Sequence, residues 1–308
     1  MQVFYPEGRR IDRPQNRAYL SSADSLMEAM HKGVILEARA MLCDSAHNLS
    51  VDLGCMKGII PRGEGAVGIR EGTVRDIAIL SRVGYPVCFT VTAIERDGDQ
   101  PRAILSRAEA QRRCIERMIL SLRPGDVIPA RVTHLEPFGA FCDIGCGVVA
   151  LMPIDAISVS RIEHPDARFT VGMDIYAVVK SRVGTRITLS HKELLGTWEE
   201  NADRFMIGET VTGVIRSVEN YGAFVELTPN LAGLAELRDD LRVGQLVSVY
   251  IKNIIPQKMK VKLIVIDVLG DPGEPQPPAY VQTAGHIDRF VYSPESCGKV
   301  IVTDFSSQ

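Results

Sequence analysis

The sequence contains a duplicated motif that constrains the fold more than any other feature. The octapeptide FGAFCDIG at residues 138–145 returns 83 residues later as YGAFVELT at residues 221–228. Both copies place glycine and alanine between two aromatic residues, so the backbone can turn sharply while both rings stay available. An eroded copy, HNLSVDLG at residues 47–54, keeps the end of the motif and loses both rings. The duplication indicates a chain built from similar structural units.

A second landmark follows each copy of the motif. A basic residue begins an alternating apolar run in RAILS (102–106), RITLS (186–190) and KVKLI (260–264). Alternation with a period of two predicts five strands in the middle copy, at residues 127–133, 138–144, 148–152, 175–179 and 187–189. In the third copy the predicted strands are 210–218, 223–227, 233–237, 246–254 and 261–266. Five short strands per unit predict a small closed barrel.

The segments between the predicted barrels have helical periodicity. Ser106 is predicted to cap a helix that runs through Ile119, and Ser190 to cap another over residues 191–205. The first copy carries a long insert at residues 63–84, with a short helix predicted over residues 73–80. DPGEPQPP at residues 271–278 is typical of an extended linker, after which residues 279–305 either form a hairpin or stay flexible.

Composition sets the outer bounds on function. The 308 residues are 45% hydrophobic and 24% charged, as in ordinary soluble proteins of two or three domains. No run approaches the roughly 20 apolar residues that span a bilayer, and the start MQVFYPEGRR lacks the apolar run of a signal peptide. We therefore expect a cytoplasmic protein without a membrane partner. The net charge of -3 argues against a charge-driven nucleic-acid binder and requires any basic surface to be local.

The sequence shows no catalytic or metal-binding pattern. A Walker loop, a GxSxG elbow and a HExxH helix are all missing, which predicts a protein that is not an enzyme and needs no cofactor. The seven cysteines are irregularly spaced and are expected to be reduced thiols. Cys142 and Cys146 bracket a predicted hairpin, but no matching His or Cys pair completes a zinc site, so we expect no metal.

Taken together, these marks resemble the RNA-binding repeats of the bacterial ribosomal protein S1 family, which are five-stranded barrels of the OB type. The resemblance covers most of residues 29–268, strongly in the second and third copies and weakly in the first. It implies an all-β fold of three tandem five-stranded OB-type barrels joined by short helices. The implied domains are an N-terminal extension (1–28), a degenerate barrel (29–108), a helical spacer (109–123), an S1 RNA-binding domain (124–192), a second spacer (193–204), a second S1 RNA-binding domain (205–268) and a proline-rich linker with a C-terminal tail (269–308).

The resemblance also implies which residues bind RNA. In the family, the two rings of the hairpin, a histidine after strand three, and an acidic and a basic residue before strand five line the binding face. Here the matching residues are Phe138, Phe141 and Arg186 in the second copy, and Tyr221, Phe224 and Lys260 in the third. The histidine is replaced by Pro61, Pro153 and Glu236, and the acidic residue by Gly98, Arg182 and Pro256. Base stacking and attraction to the phosphate backbone are therefore expected, without hydrogen-bond readout from those positions.

Further basic residues add to this prediction. Lys180 and Arg182 are assigned to the RNA-binding set, and Arg161 and Arg168 extend a positive rim in the second copy. Lys258, Lys260 and Lys262 alternate and should share one face of a strand in the third copy. On this count the second copy is better equipped to bind. The alternatives are that Phe141 and Phe224 belong to the core, unless bulges at Gly139 and Gly222 turn both rings outward, and that Arg186 and Lys260 only solubilise strand edges.

We predict a non-catalytic single-stranded RNA-binding protein that holds mRNA in translation. In the alternative hypothesis the protein is an adaptor whose barrels dock the ribosome, RNA polymerase or a nuclease, with RNA contact incidental. The first barrel is the candidate docking module, with the ribosome as its expected partner, because it has His47 and Ser50 in place of rings. Its insert adds the apolar residues Ile77, Ile79 and Leu80, which either face a partner or plug the open end of the barrel.

Overall fold

The computed structural model describes residues 4–95 and 101–306, so Gly98 lies outside the described residues. Three closed barrels of five strands each are present, which confirms the predicted fold class. In every barrel the third strand pairs in parallel with the fifth. The chain forms two compact units, one of residues 1–122 with 143–149 and one of residues 123–142 with 150–308. The first unit holds the first barrel, and the second holds most of the other two.

The strands of the first barrel are β1 (Leu36–Cys43), β2 (Leu49–Asp52), β3 (Lys57–Ile60), β4 (Pro86–Glu95) and β5 (Arg102–Ser106). Two helices precede it, α1 (Pro14–Leu20) and α2 (Ala23–Lys32). Helix α2 begins at Ser22, whose side chain accepts a hydrogen bond from the Ser25 amide, and ends at Gly33 in the left-handed conformation. Leu26 and Ala29 of α2 are buried in the core of the barrel, so the segment assigned to an extension packs as part of this unit.

In the sequence, one further helix of the first unit precedes β4 and another follows β5. Helix α3 (Ile77–Leu80) is shorter than the predicted 73–80, because the amides of Thr73 and Val74 both donate to the Gly68 carbonyl in a turn. Helix α4 (Arg107–Arg117) confirms the predicted cap, since the Ser106 hydroxyl accepts from the Glu109 amide at 2.9 Å. Within the described ranges no helix is both long and apolar enough to cross a membrane.

A buried ion pair fixes the N-terminal segment inside the first unit. The guanidinium of Arg107 donates to both carboxylate oxygens of Glu7, at 2.7 and 2.9 Å, and to the Gly65 carbonyl at 3.1 Å. Glu7 also accepts from the amide of Cys88 on β4 at 3.0 Å. Both members of the pair are buried, which a charged pair tolerates only when its donors and acceptors are satisfied.

The second and third barrels confirm the predicted strands. Seven of the ten extend by one to four residues at one or both ends, the strand predicted at 138–144 is shorter, and those predicted at 148–152 and 233–237 are shifted by one and two residues. The second barrel contains β6 (Val127–Glu136), β7 (Gly139–Asp143), β8 (Val149–Pro153), β9 (Asp174–Val183) and β10 (Arg186–Ser190). After helix α5 (Trp198–Ala202), the third contains β11 (Thr210–Glu219), β12 (Gly222–Thr228), β13 (Leu231–Ala235), β14 (Leu246–Ile255) and β15 (Lys260–Gly270). Alternation is clearest in β15, where Val261, Leu263 and Val265 face the core.

The predicted helix over residues 191–205 is wrong. Ser190 does not cap it, because its hydroxyl bonds the Ala156 carbonyl and the Glu193 carboxylate. A single 3-10 turn over Lys192–Leu195 ends at Gly196, whose φ of 88° no helix contains. Helix α5 then starts afresh at Thr197 with a capping box in which Thr197 and Glu200 satisfy each other's amides.

The C-terminal tail is folded onto the second unit. Strands β16 (Arg289–Val291) and β17 (Val302–Asp304) form a two-stranded sheet, so the hairpin alternative is confirmed. Tyr292 is buried in the core of the third barrel and donates its hydroxyl hydrogen to the Asn230 carbonyl at 2.6 Å. Phe305 packs with Val127, Val178 and Leu194 of the second barrel and its following turn.

The side chain of Asn230 binds the Val159 amide and the Lys192 and Gly196 carbonyls, so one buried turn joins the two barrels.

Candidate nucleic-acid interface

The third barrel places the two predicted rings together on its outer face. Tyr221 lies in the two-residue turn between β11 and β12 and is 64% exposed. Phe224 points outward from β12, because its neighbours Ala223 and Val225 are buried. The two ring centroids are 6.2 Å apart with the rings perpendicular, in an edge-to-face contact. The alternative of Phe224 as a core residue does not hold, since it is outside the barrel and only partly covered.

The glycine of the motif lets adjacent strands approach closely. A Cβ atom at Gly222 would lie 2.4 Å from the Ala235 carbonyl oxygen, and one at Gly139 would lie 2.3 Å from that of Met152. The predicted bulge is not at Gly222, which pairs directly with Glu219. The irregularity is on the facing strand β11, between Ile215 and Ser217. The two rings share a face because Tyr221 lies in the turn and Phe224 is one of the residues of β12 whose side chains point outward.

The rings border a groove of about 460 Å³ on the third barrel. Strand register builds it, since Phe224 pairs with Leu234 on β13, and Leu234 pairs with Lys262 on β15. A ring, an aliphatic side chain and an ammonium group thus follow one another across three adjacent strands. The side chains that line the groove include Tyr221, Phe224, Leu234, Glu236, Lys252, Lys260 and Lys262.

Three lysines and one glutamate give the groove a positive surplus. Lys260 and Lys262 lie on the same exposed face of β15, as predicted. Lys258 does not join them, because it ends a 3-10 turn before the strand and does not line the groove. Lys252 was not predicted, and it reaches the groove from a bulge between Ile251 and Asn253 of β14. Glu236 stands where the family has its histidine, so an acid forms part of the rim.

The second barrel repeats the ring arrangement. Phe138, in the turn before β7, is 56% exposed, and its ring centroid is 6.0 Å from that of Phe141 at an interplanar angle of 89°. His134 of β6 adds a third ring, stacked 6.3 Å from Phe141 at 28°. His134 could not be predicted from the repeat, because the corresponding position of the third barrel is Ser217. Three rings therefore line this hairpin.

The basic residues assigned to RNA binding in the second barrel lie on β9 and β10. Lys180 occupies the bulge of β9 that corresponds to Lys252, a relation that could have revealed Lys252 from the sequence. Arg182 and Arg186 are exposed near the β9–β10 turn. In the second barrel Thr188 of β10 pairs with Leu151. The corresponding residue of the third barrel, which pairs with Leu234, is Lys262. The third barrel therefore has Lys262 where the second has Thr188, but it also has Glu236 where the second has Pro153. The expectation that the second barrel is better equipped stays a prediction.

Arg168 does not extend a positive rim, because it is buried and paired. It is 6% exposed and its guanidinium binds the carboxylate of Glu226 on β12. Arg216 binds the same carboxylate through two hydrogen bonds of 3.0 Å. Arg161 remains exposed.

The first barrel presents a different surface. His47 has left-handed backbone geometry and faces Asp76 at 3.2 Å, and Ser50 pairs within the sheet, so neither position carries a phenylalanine or tyrosine ring. The apolar insert divides between the two predicted alternatives. Ile79 is fully buried in the barrel core, whereas Ile77 and Leu80 are 65% and 42% exposed. In the part of the chain that the structure describes, no group of three or more His, Cys, Asp or Glu residues has the geometry of a metal site.

Tandem five-stranded barrels with paired rings on an outer sheet face define a protein of the OB-fold class. The model of the S1 RNA binding domain matches residues 121–192, which contain the second barrel. The small ribosomal subunit protein bS1 of Staphylococcus aureus (strain COL) is 30% identical over 275 residues, or 83% of this chain and 66% of that protein. The chain belongs to the bacterial ribosomal protein S1-like family of tandem S1-type domains.

One further relative and one solved structure each match more than two thirds of this chain. The bS1 protein of Rhodopseudomonas palustris is 28% identical over 71% of this chain and 38% of its own length. A multidomain protein with nucleic acid binding domains from Streptococcus pneumoniae covers 76% of this chain and 73% of its own, at 14% identity and a TM-score of 0.25, too low to add to the assignment. The chain spans just under two thirds of the Staphylococcus aureus proteins and a smaller share of the Rhodopseudomonas protein.

Proposed function

We propose that this protein binds single-stranded RNA on the ring-bearing faces of its second and third barrels. The groove of the third barrel carries the proposal, because it joins Tyr221 and Phe224 to Lys252, Lys260 and Lys262 in one surface. Rings stack on bases and ammonium groups attract phosphates, which together bind a single strand with little sequence demand. A duplex hides the faces of its bases, so the same surface discriminates against paired RNA.

The finer role that we propose is to hold mRNA during translation, in the cytoplasm and without catalysis. Its support is the similarity to proteins named for the small ribosomal subunit and the match of the second barrel to an RNA-binding domain family. Two barrels with outward rings in one compact unit offer a single strand two stacking platforms. Phe138, Phe141, Lys180, Arg182 and Arg186 form the proposed platform of the second barrel.

Removing one groove lysine is expected to flatten the salt dependence of RNA binding. On single strands, the logarithm of affinity falls by about 0.7 per decade of salt for each neutralised phosphate. Lys260→Ala should therefore reduce the slope by about 0.7. Lys258→Ala is the matched control, because Lys258 is exposed two residues away and does not line the groove. The measurement is fluorescence anisotropy with a short labelled RNA at several salt concentrations, and equal slopes for both variants would assign Lys260 to edge solubility.

One observation favours the adaptor function for the first barrel. Exposed apolar side chains occur on two segments that hydrogen bonds join, β1 and residues 77–85. The Ala40 amide donates to the Tyr85 carbonyl at 3.0 Å, and the Gly84 amide to the Ala40 carbonyl at 2.7 Å. The exposed side chains on these segments are Met41, Leu42, Ile77, Leu80, Val83 and Tyr85. Large exposed apolar residues grouped in this way are typical of protein-binding surfaces.

If the first barrel docks the small ribosomal subunit, Ile77→Ser with Leu80→Ser should weaken that contact at least about tenfold through loss of apolar burial. Co-sedimentation of the full chain with purified small subunits measures the effect. Met206→Ser with Ile207→Ser removes two apolar residues that are at least as exposed, just before the third barrel, and serves as control. Wild-type sedimentation of the first variant would rule out this docking surface.

A further inference from the structure

The second unit contains a cavity that takes no part in the ring-bearing faces. It has a volume of about 380 Å³ and lies between the second and third barrels, beside Arg168, Arg204, Arg216 and Glu226. The proline-rich segment at residues 272–279 contributes to its lining. A volume in this range is that of a small-molecule site.

The charges on the cavity walls are unbalanced. Arg168, Arg204 and Arg216 face the carboxylates of Glu226 and Glu274, so the walls carry a surplus of one positive charge. Glu274 and Arg204 are both exposed to solvent, where water screens their charges. His191 adds no charge, because burial lowers its pKa to about 4 and its ring binds the Ile157 carbonyl and the Tyr280 hydroxyl.

Two arginines of the cavity keep unused donors. The Nε of buried Arg168 is without a hydrogen-bond partner, although its other nitrogens bind Glu226 and the Ala167 carbonyl. Arg204 makes no ion pair within residues 4–95 and 101–306. Guanidinium groups match the oxygens of phosphate in paired hydrogen bonds, and a buried donor without a partner is unfavourable until an acceptor arrives.

The remaining lining is apolar. Leu195, Val214, Leu246 and the prolines at 275, 277 and 278 provide surfaces against which an uncharged organic group can pack. The cavity is too large for an inorganic anion alone. We propose that it binds a small organic phosphate of nucleotide size, with the phosphate at the arginines and the organic part against the proline-rich segment.

Adenosine monophosphate is the probe, with adenosine as its uncharged counterpart, and calorimetry on the full chain is the measurement. We expect saturable binding of the nucleotide and at least about tenfold weaker binding of adenosine, since a phosphate monoester carries close to two negative charges at neutral pH. Arg204→Gln should weaken nucleotide binding at least about tenfold. Arg289→Gln, which changes an exposed arginine of the same compact unit outside the cavity, should bind as wild type does.

A second variant separates the cavity from the RNA-binding groove. Nucleotide binding should persist in Tyr221→Ala with Phe224→Ala, because neither ring lines the cavity. Loss of binding in that variant, wild-type affinity in Arg204→Gln or equal affinity for adenosine would each overturn the proposal. Addition of a saturating short RNA should leave nucleotide binding unchanged. Displacement would overturn the proposal by assigning the cavity to a phosphate of the RNA chain.

Discussion

Replacing Phe138, Phe141, Tyr221 and Phe224 together by alanine is expected to reduce affinity for single-stranded RNA about a hundredfold or more. Each stacked base contributes about 1 to 3 kcal/mol, so the loss of two stacked bases is enough for this effect. The rings lie on outer faces, at centroid separations of 6.0 and 6.2 Å within each pair, and the barrels do not need them for closure. Fluorescence anisotropy with a labelled single strand, compared with a duplex of the same sequence, measures the change.

The control for this variant is a ring that lies elsewhere. Tyr85 is exposed on the first barrel, so Tyr85→Ala removes an aromatic group without touching either platform. Circular dichroism should show that both variants keep the strand content of wild type. A folded quadruple variant that binds RNA with wild-type affinity would refute base stacking as the basis of binding.

Arg107→Ala is expected to destabilise the first unit by up to about 3 to 5 kcal/mol, because it removes the bidentate partner of the buried Glu7 carboxylate and leaves the Arg82 guanidinium 3.8 Å away. Arg107 donates 2.7 and 2.9 Å hydrogen bonds to the two carboxylate oxygens, and both side chains are almost inaccessible to solvent. Hydrogen exchange of β4 peptides in denaturant measures the free energy of opening, since Glu7 also holds the Cys88 amide of that strand.

Arg102→Ala is the matched control, because Arg102 pairs with Glu95 on the surface of the same barrel. An exposed pair of this kind contributes about 0 to 1 kcal/mol. Trp198, the single tryptophan of the chain, lies in the other compact unit, so its fluorescence follows the unfolding of that unit separately. Equal small losses for Arg107→Ala and Arg102→Ala would contradict the stabilising role of the buried pair.

The barrel strands and the ring pairs could be predicted from sequence, because each depends on local periodicity. Residues such as Val261, Leu263 and Val265 alternate with polar ones, and this alternation specifies the inward face of a strand without knowledge of its neighbours. The repeated motif then indicated which turns carry Phe138 and Tyr221. Lys252 is not among the residues predicted in the third copy, although its counterpart in the second copy, Lys180, is assigned to the RNA-binding set.

Features that depend on distant partners could not be predicted. Arg168 had the sequence context of a surface residue, but its carboxylate partner Glu226 is 58 positions away. Glu7 and Arg107 are separated by 100 positions, and nothing local marks either as buried. The helix predicted over residues 191–205 followed apolar periodicity, and the left-handed backbone of Gly196 overrode it. Local pattern thus specified the strands, whereas tertiary contacts determined the burial of charges.

The docking of the tail has a consequence for the order in which a growing chain becomes compact. Tyr292 completes the core of the third barrel, although the last strand of that barrel ends at residue 270. Phe305 covers Val127 and Val178 of the second barrel, which are made far earlier in synthesis. Both barrels therefore keep apolar surface open to water until the tail has left the ribosomal tunnel. A chain arrested shortly after residue 270 should resemble an unfinished product and attract chaperones, even though all the barrel strands are already present.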